Sequence, residues 1–351
     1  MSLSRKKFKL DMQEYLETIL CSFERNEKIN FDNIYFDYSE EEKIKFDSYK
    51  KVSKLDGANN DFAVLIYDTN DDKYLIVSER ENEIVDNKHF ERIENSFAEL
   101  AALSEQNCLS ISTSYSINDI YDRIFIYEDE NYSGHKVQDI MDIFVPFSVY
   151  KVDRDFVLQD QNEYCLYLYF LLCSKKVKGC HFSKKTEDVI EETLLSGLCI
   201  PYYNLFLAVS SNQWRHAFLE TYRIIEHAYP AISLKKIKEN GIDIPVGKIA
   251  YILEDVISYR PPEENTLKEI FEEISEVKAL QNILLEFDSV KNPEENRYKW
   301  YYKKVRNQIV HFRIKHEDVS LSEEQWDILI RFNISLILYL YKTYGEELEI
   351  N

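Results

Sequence analysis

Within six residues, Arg306-Asn307-Gln308-Ile309-Val310-His311 sets a permanent cation, a side-chain amide and a proton carrier active near neutral pH. An arginine grips paired phosphate oxygens through its planar fork and stays ionised. A histidine, with an ordinary pKa of about 6.5, gives and takes protons at physiological pH. Those two groups suit cleavage of RNA, which carries its own nucleophile. The 2′-hydroxyl must lose a proton, the leaving 5′-oxygen must gain one, and the extra negative charge on phosphorus must be met by a donor. Asn307 could orient the 2′-hydroxyl or His311. The scheme requires no metal, and no His, Cys, Asp or Glu spacing in the chain reads as a ligand set.

The surroundings favour an anionic ligand. From Arg297 to His316 there are seven basic residues (Arg297, Lys299, Lys303, Lys304, Arg306, Arg313 and Lys315) and no acidic one. The whole chain carries −20, so a +7 island leaves −27 on the rest, a local electrostatic contrast of the kind that attracts phosphates. Lys299, Lys303, Lys304 and Arg313 are candidate phosphate contacts. Tyr298, Trp300, Tyr301 and Tyr302 interleave with the lysines, and aromatic faces stack unpaired bases. Tyr302 is the candidate for that role, since Trp300 and Tyr301 are better read as bundle core.

The periodicity predicts a regular helix from about Glu294 to Ile314. On it Asn307 and His311 share a face, whereas Arg306 and His311 stand about 140° apart and converge only through the reach of the arginine. Val305, Ile309 and Phe312 form its apolar stripe, which turns Asn307 and His311 toward a second surface.

The segment Val305-Arg306-Asn307-Gln308-Ile309-Val310-His311-Phe312 resembles the active-site motif of the HEPN superfamily, helical domains found in many ribonucleases of toxin–antitoxin, abortive-infection and other defence systems. The family pattern is Arg, a polar residue, three free positions and His, and Arg306, Asn307 and His311 match it without a departure. The resemblance covers about residues 200–350. It implies an earlier helix carrying a supporting glutamate, for which Glu226 is the candidate and Glu220 the fallback. It also implies a homodimer that places two motifs in one composite cleft, which would supply the second acid–base group that a single His311 leaves wanting. The expected partner is RNA, in single strands or loops, tRNA among the candidates, and a neutralising antitoxin or regulatory protein fits such systems.

Composition removes other classes. The seven glycines never come close enough for a dinucleotide fingerprint. Gly241 to Gly247-Lys248 is one residue too long for a phosphate loop, and Ile249 stands where a hydroxyl is required. No cofactor is therefore expected. Six cysteines without a Cys-x-x-Cys pair read as buried free thiols of a reducing compartment. Cys180-His181 is not ligand-spaced. The longest apolar runs, Tyr164–Cys173 and Ile334–Tyr341, fall short of the ~20 residues a membrane span needs, and no secretory signal opens the chain. The expectation is a cytoplasmic protein without membrane contact.

The elements that must carry the motif divide the chain in two. Residues 1–155 read as an acidic α+β domain with a sensing or regulatory role. It comprises a helix over 4–28, a hairpin from Phe62–Tyr67 and Tyr74–Val77 around Asp68–Asp72, a helix over Glu91–Ser104, and strands at Cys108–Ser114, Arg123–Tyr127 and Phe144–Val152. Its acidity argues against RNA binding there. Residues 156–200 read as a connecting segment with a helix over Thr186–Ser196. Residues 201–351 read as an all-α, up-and-down, HEPN-like bundle of five helices: Pro201–Tyr229 stopped by Pro230, Pro245–Tyr259, Thr266–Phe287, the motif helix, and Ser322 to a stop at Gly345.

Two further readings stand beside the ribonuclease. One is a non-catalytic HEPN-like module that dimerises or holds a partner. The other is a regulator whose basic island senses a nucleotide phosphate.

Overall fold

The run Phe62–Tyr67 and the run Lys73–Ser78 pair antiparallel, in the register Ala63 to Val77 and Tyr67 to Lys73. Their turn is made by Asp68, whose Oδ1 accepts the backbone N–H groups of Asn70 (2.8 Å) and Asp72 (2.9 Å), with Asp71 at φ 63°. Short aspartate side chains do this readily. The computed structural model describes residues 3–21, 35–56, 62–78, 87–112, 114–124, 132–156, 163–174, 180–234, 246–257, 262–310 and 320–348. The chain divides into two units, Met1–Val157 with Cys173–Lys175, and Leu158–Leu172 with Lys176–Asn351.

The first unit holds one antiparallel sheet. Its strands β1 (Lys51–Asp56), β2 (Phe62–Tyr67), β3 (Lys73–Ser78), β4 (Phe90–Ile93) and β5 (Phe147–Val152) lie in the order β1-β2-β3-β5-β4. Val64, Ile66, Ile76 and Val149 meet the buried faces of helices α1 (Arg5–Cys21), α2 (Glu40–Ser48), α3 (Phe97–Glu105), α4 (Ile117–Ile124) and α5 (Val137–Met141) in one core. Ala63, Leu65 and Leu75, on the other face, are also buried, which is why these strands read as continuous apolar runs.

Several predicted elements shift. Glu91–Ile93 is strand, not helix: it pairs with β5, and α3 begins only after Ser96, whose N–H donates to Glu99 (2.8 Å). That Ser-x-x-Glu box fixes the helix start. Among its described residues, the strand predicted at Cys108–Ser114 is reduced to a bridge between Ile111 and Phe144. Arg123 lies in α4 (Ile117–Ile124), started by a reciprocal bond pair between Ser116 and Asp119; its β-rich sequence masked that box.

The second unit is helical throughout its described residues. The stretch read as connecting carries α6 (Glu163–Cys173) and α7 (Lys184–Leu195), the latter capped by Ser183. The predicted helix from Pro201 to Tyr229 is two helices, α8 (Tyr202–Val209) and α9 (Trp214–Ser233). Ser210 donates its hydroxyl to the Phe206 carbonyl, and Ser211 accepts from the Gln213 N–H; hydroxyls that compete for the backbone in this way break helices.

Pro230 does not stop α9, which runs on to Ser233. Buried Tyr229, Ala231 and Ile232 hold that last turn in the core against the loss of the bond to the Glu226 carbonyl. After α10 (Val246–Ile257), the helix predicted over 266–287 is split into α11 (Glu263–Ser275) and α12 (Gln281–Val290). Gln281 Nε2 donates to the Ser275 carbonyl at the break (2.6 Å). The last helix, α13 (Glu323–Leu348), passes through Gly345, because Tyr344 and Leu348 are buried on its inner side.

Cys108, Cys165 and Cys180 are buried, but Cys199 is exposed, contrary to expectation. Among the described residues no helix is long and apolar enough to cross a membrane.

Candidate functional site around Arg306

The motif segment is not one regular helix. Asn296 caps a first turn (Arg297–Lys299) by accepting from the Tyr298 N–H, Trp300–Arg306 is π-helical, and Asn307–Val310 returns to α. The Asn307 N–H donates to the Tyr302 carbonyl, five residues back. Such i→i+5 turns are rare and cluster at functional sites.

The π register has a geometric consequence. Residues five apart diverge by about 140° on an α-helix, but the wider π turn brings them toward one face. Trp300 and Val305 are accordingly both buried. Tyr301 and Arg306 both reach the Tyr222 ring, at 5.8 Å between centroids and 5.6 Å from the guanidinium carbon respectively.

Tyr301 anchors the segment. It is fully buried among Phe218, Phe271, Phe287 and Phe332, with ring centroids 5.4 to 6.0 Å away. Its hydroxyl donates to Asn333 Oδ1 (2.7 Å), and Asn333 Nδ2 donates to Thr221 (2.8 Å). α9, the motif segment and α13 are thereby tied by satisfied polar groups in an aromatic core, which is costly to disrupt.

Arg306 emerges from this anchor with only 11% of its side chain exposed. Nη2 donates to Glu226 Oε1 (3.2 Å) on α9, and Nη1 donates to Asn307 Oδ1 (3.0 Å). Nη2 also stands 2.9 Å from each oxygen of Glu263, the first residue of α11, and donates to Oε1. Among the described residues, Glu263 Oε2 and Arg306 Nε are buried without a hydrogen bond. The rings of Tyr222 and Tyr302 flank the guanidinium, the latter at 5.7 Å, as cation–π contacts do.

Burial works against the charge of Arg306, but Tyr222, Glu263 and Glu226 outweigh it and raise its pKa. Glu226 behaves oppositely: burial raises its pKa, and the pairing with Arg306 does not restore it, since Glu263 adds a like charge. Burial likewise raises the Tyr222 hydroxyl well out of its usual range.

The structure thus brings Arg306, Asn307, Tyr302 and Glu226 together. Glu220 is engaged elsewhere, accepting from Asn204 (2.8 Å) and Arg223. His311 and Arg313 lie outside the described residues. The basic island is less open than its sequence implies. Arg297 forms a two-point pair with Asp288, and Lys303 pairs with Glu264 (2.9 Å). Lys299 and Lys304 are exposed.

Two participants were not found in the sequence. Tyr222 stands one turn before Glu226, a spacing that could have pointed to it. Glu263 was legible only as first-turn acid after Pro261-Pro262; its place on Arg306, 43 residues away, comes from packing. Compared with known protein families, curated proteins and solved structures, the chain matches none.

Proposed function

We propose that the chain is a metal-independent endoribonuclease of HEPN type, with Arg306, Asn307 and His311 as its catalytic residues, Glu226 as their support and the helical half as its up-and-down bundle. The observation that carries this reading is the setting of Arg306. It is a nearly buried cation, oriented by Glu226 and Asn307 at the end of a π turn, not a solvated surface charge. Orientation of this kind costs an arginine its rotamer freedom, and it suits a charge aimed at a transition state.

In the proposed reaction the 2′-oxygen, losing its proton to a histidine, bonds to phosphorus as the P–O5′ bond breaks. The leaving oxygen takes a proton from a second acid, and the products end in a 2′,3′-cyclic phosphate and a 5′-hydroxyl. The second acid is His311 of a partner copy in a homodimer. Exposed Lys299 and Lys304 and the half-buried Tyr302 ring would hold the strand, joined by Lys303 and Arg313. A place in a defence or toxin system follows from the resemblance, and a cytoplasmic location from the cysteine pattern.

The test is incubation of total RNA in EDTA with the wild type, His311→Ala and Arg306→Gln, followed by analysis of fragment ends. Cutting by the wild type only, with cyclic phosphate ends, is expected. Cutting that survives His311→Ala, or equal cutting of a DNA analogue at the same position, overturns the reading. The double capture of Arg306 by carboxylates favours a second reading, a binding module in which this arginine is a staple between helices. That module would show no cleavage by any form.

A further inference from the structure

Three charges meet at the motif arginine, one positive and two negative. A single guanidinium cannot neutralise both Glu226 and Glu263, so the cluster carries a net −1 when all are ionised, and that charge repels a phosphate. The two carboxylates are not equivalent. Glu226 projects from within α9, whose flanking Ile224, Ile225 and Ala228 are all in the core. Glu263 is the first residue of α11, directly after the Pro261-Pro262 pair, with Pro262 in the N-cap position. One projects from the middle of its helix and the other from the first residue of its helix.

The fit of Glu263 is also incomplete. It takes one hydrogen bond from Nη2, its Oε2 takes none, and Arg306 Nε donates to no described residue. A side-on arginine–carboxylate pair uses two parallel bonds, and this one does not. Beside it, Glu264 of the same helix end holds Lys303, with 37% and 52% of the side chains exposed. The α11 end thus engages two of the motif's cations, one deep and one at the surface.

We propose that Glu263 is a resident anion on the phosphate seat of Arg306: it occupies the guanidinium in the free protein and is exchanged for a phosphodiester when a nucleic acid strand binds. Glu226 stays in place throughout and keeps Arg306 oriented. The exchange leaves the charge at the seat unchanged, since one anion replaces another, and it frees the α11 end from the motif segment. The inference rests on the ribonuclease reading for the identity of the strand, but its test does not require cleavage.

The experiment measures binding of a fluorescent, uncleavable 2′-O-methyl RNA oligonucleotide to the full chain in EDTA, over a range of salt. Removing a competing charge at a partly screened site is worth about tenfold in affinity, so Glu263→Gln should bind about tenfold tighter than the wild type. Glu263→Asp, which keeps the charge but shortens its reach, should give a smaller gain. The gain should vanish in Glu263→Gln with Arg306→Gln. Unchanged or weaker binding by both single variants overturns the proposal, as does a gain that persists without Arg306. Cleavage is scored separately on unmodified RNA. Tighter binding through Arg306 without cutting by any form sustains the exchange and removes the ribonuclease reading. Cutting with no affinity change at Glu263 does the reverse.

Discussion

The helical unit buries two arginines to nearly the same degree, and they are built differently. Arg331 on α13 is 8% exposed and Arg306 is 11% exposed. Arg331 donates to Ser183 (3.2 Å), to Asp327 (3.3 Å) one turn earlier, and to Glu286 on α12. Asp327 in turn accepts the N–H (2.9 Å) and hydroxyl (2.7 Å) of Ser183, the cap of α7. The cluster ties three regular helices, and no buried polar atom in it lacks a partner. Around Arg306 the same residue types give a π-helical segment and two unsatisfied buried atoms. A closed network reads as structure; an open one reads as a site held ready for something else.

The comparison can be broken most strongly at Arg331. Arg331→Ala leaves Asp327, only 8% exposed, without its cation, so unfolding in urea should show a loss of about 3–5 kcal/mol. RNA cleavage per folded molecule should not change. If activity falls with stability intact, the two clusters are not distinct in role.

Next in size is Arg306→Gln. Cleavage should drop about 10²- to 10³-fold, as for loss of a transition-state donor. Its stability cost should be smaller than that at Arg331, about 1–2 kcal/mol, because Glu226 and Glu263 are each about one-third exposed and can be rehydrated. A cost equal to that at Arg331 would make Arg306 a staple.

The pH dependence sharpens the contrast, because the clusters carry opposite signs. At Glu286 burial raises the pKa, but Lys185 and Arg331 outweigh it and the net shift is downward. Its contribution is complete above the ordinary carboxylate range and is lost as pH falls through the lowered folded value. At Glu226 burial wins and the shift is upward. Its contribution is complete below the ordinary range and is lost as pH rises through the raised folded value. Urea midpoints measured against pH should therefore flatten on the acid side in Glu286→Gln, and on the rise toward neutrality in Glu226→Gln. Flattening on the same side in both would refute the difference.

The smallest effect is expected at the surface. Lys303→Ala removes an exposed pair with Glu264 and should leave the urea midpoint unmoved. If Lys303 touches the RNA, the salt slope of binding should fall by about one.

Much of this was legible from short-range pattern. The Asp68–Asp72 hairpin, the cap at Ser183 and the burial of Trp300 and Tyr301 followed from spacings of a few residues, whereas the candidacy of Glu226 came from the family resemblance. Where two local signals competed, the reading failed. Ser116 began a helix amid strand-forming residues, the helix expected over Glu91–Ser104 began only after Ser96, Ser210-Ser211 broke a helix whose apolar period continued, and Pro230 and Gly345 were overridden by buried neighbours.

By itself, then, the sequence determined the motif's residue types and spacing, the division into a sheet-bearing and a helical half, the Asp68–Asp72 turn and the cap at Ser183. These are encoded by residues within one or two turns of each other, where backbone geometry and hydrogen-bond competition decide the outcome. Only the tertiary structure decided that the motif segment takes a π register, that Arg306 turns inward onto Tyr222, and that Glu263 joins Glu226 on it. Those outcomes depend on how an aromatic core around Tyr301 fills its volume. They also depend on which carboxylates from distant helices arrive at one buried cation, and no local pattern carries that information.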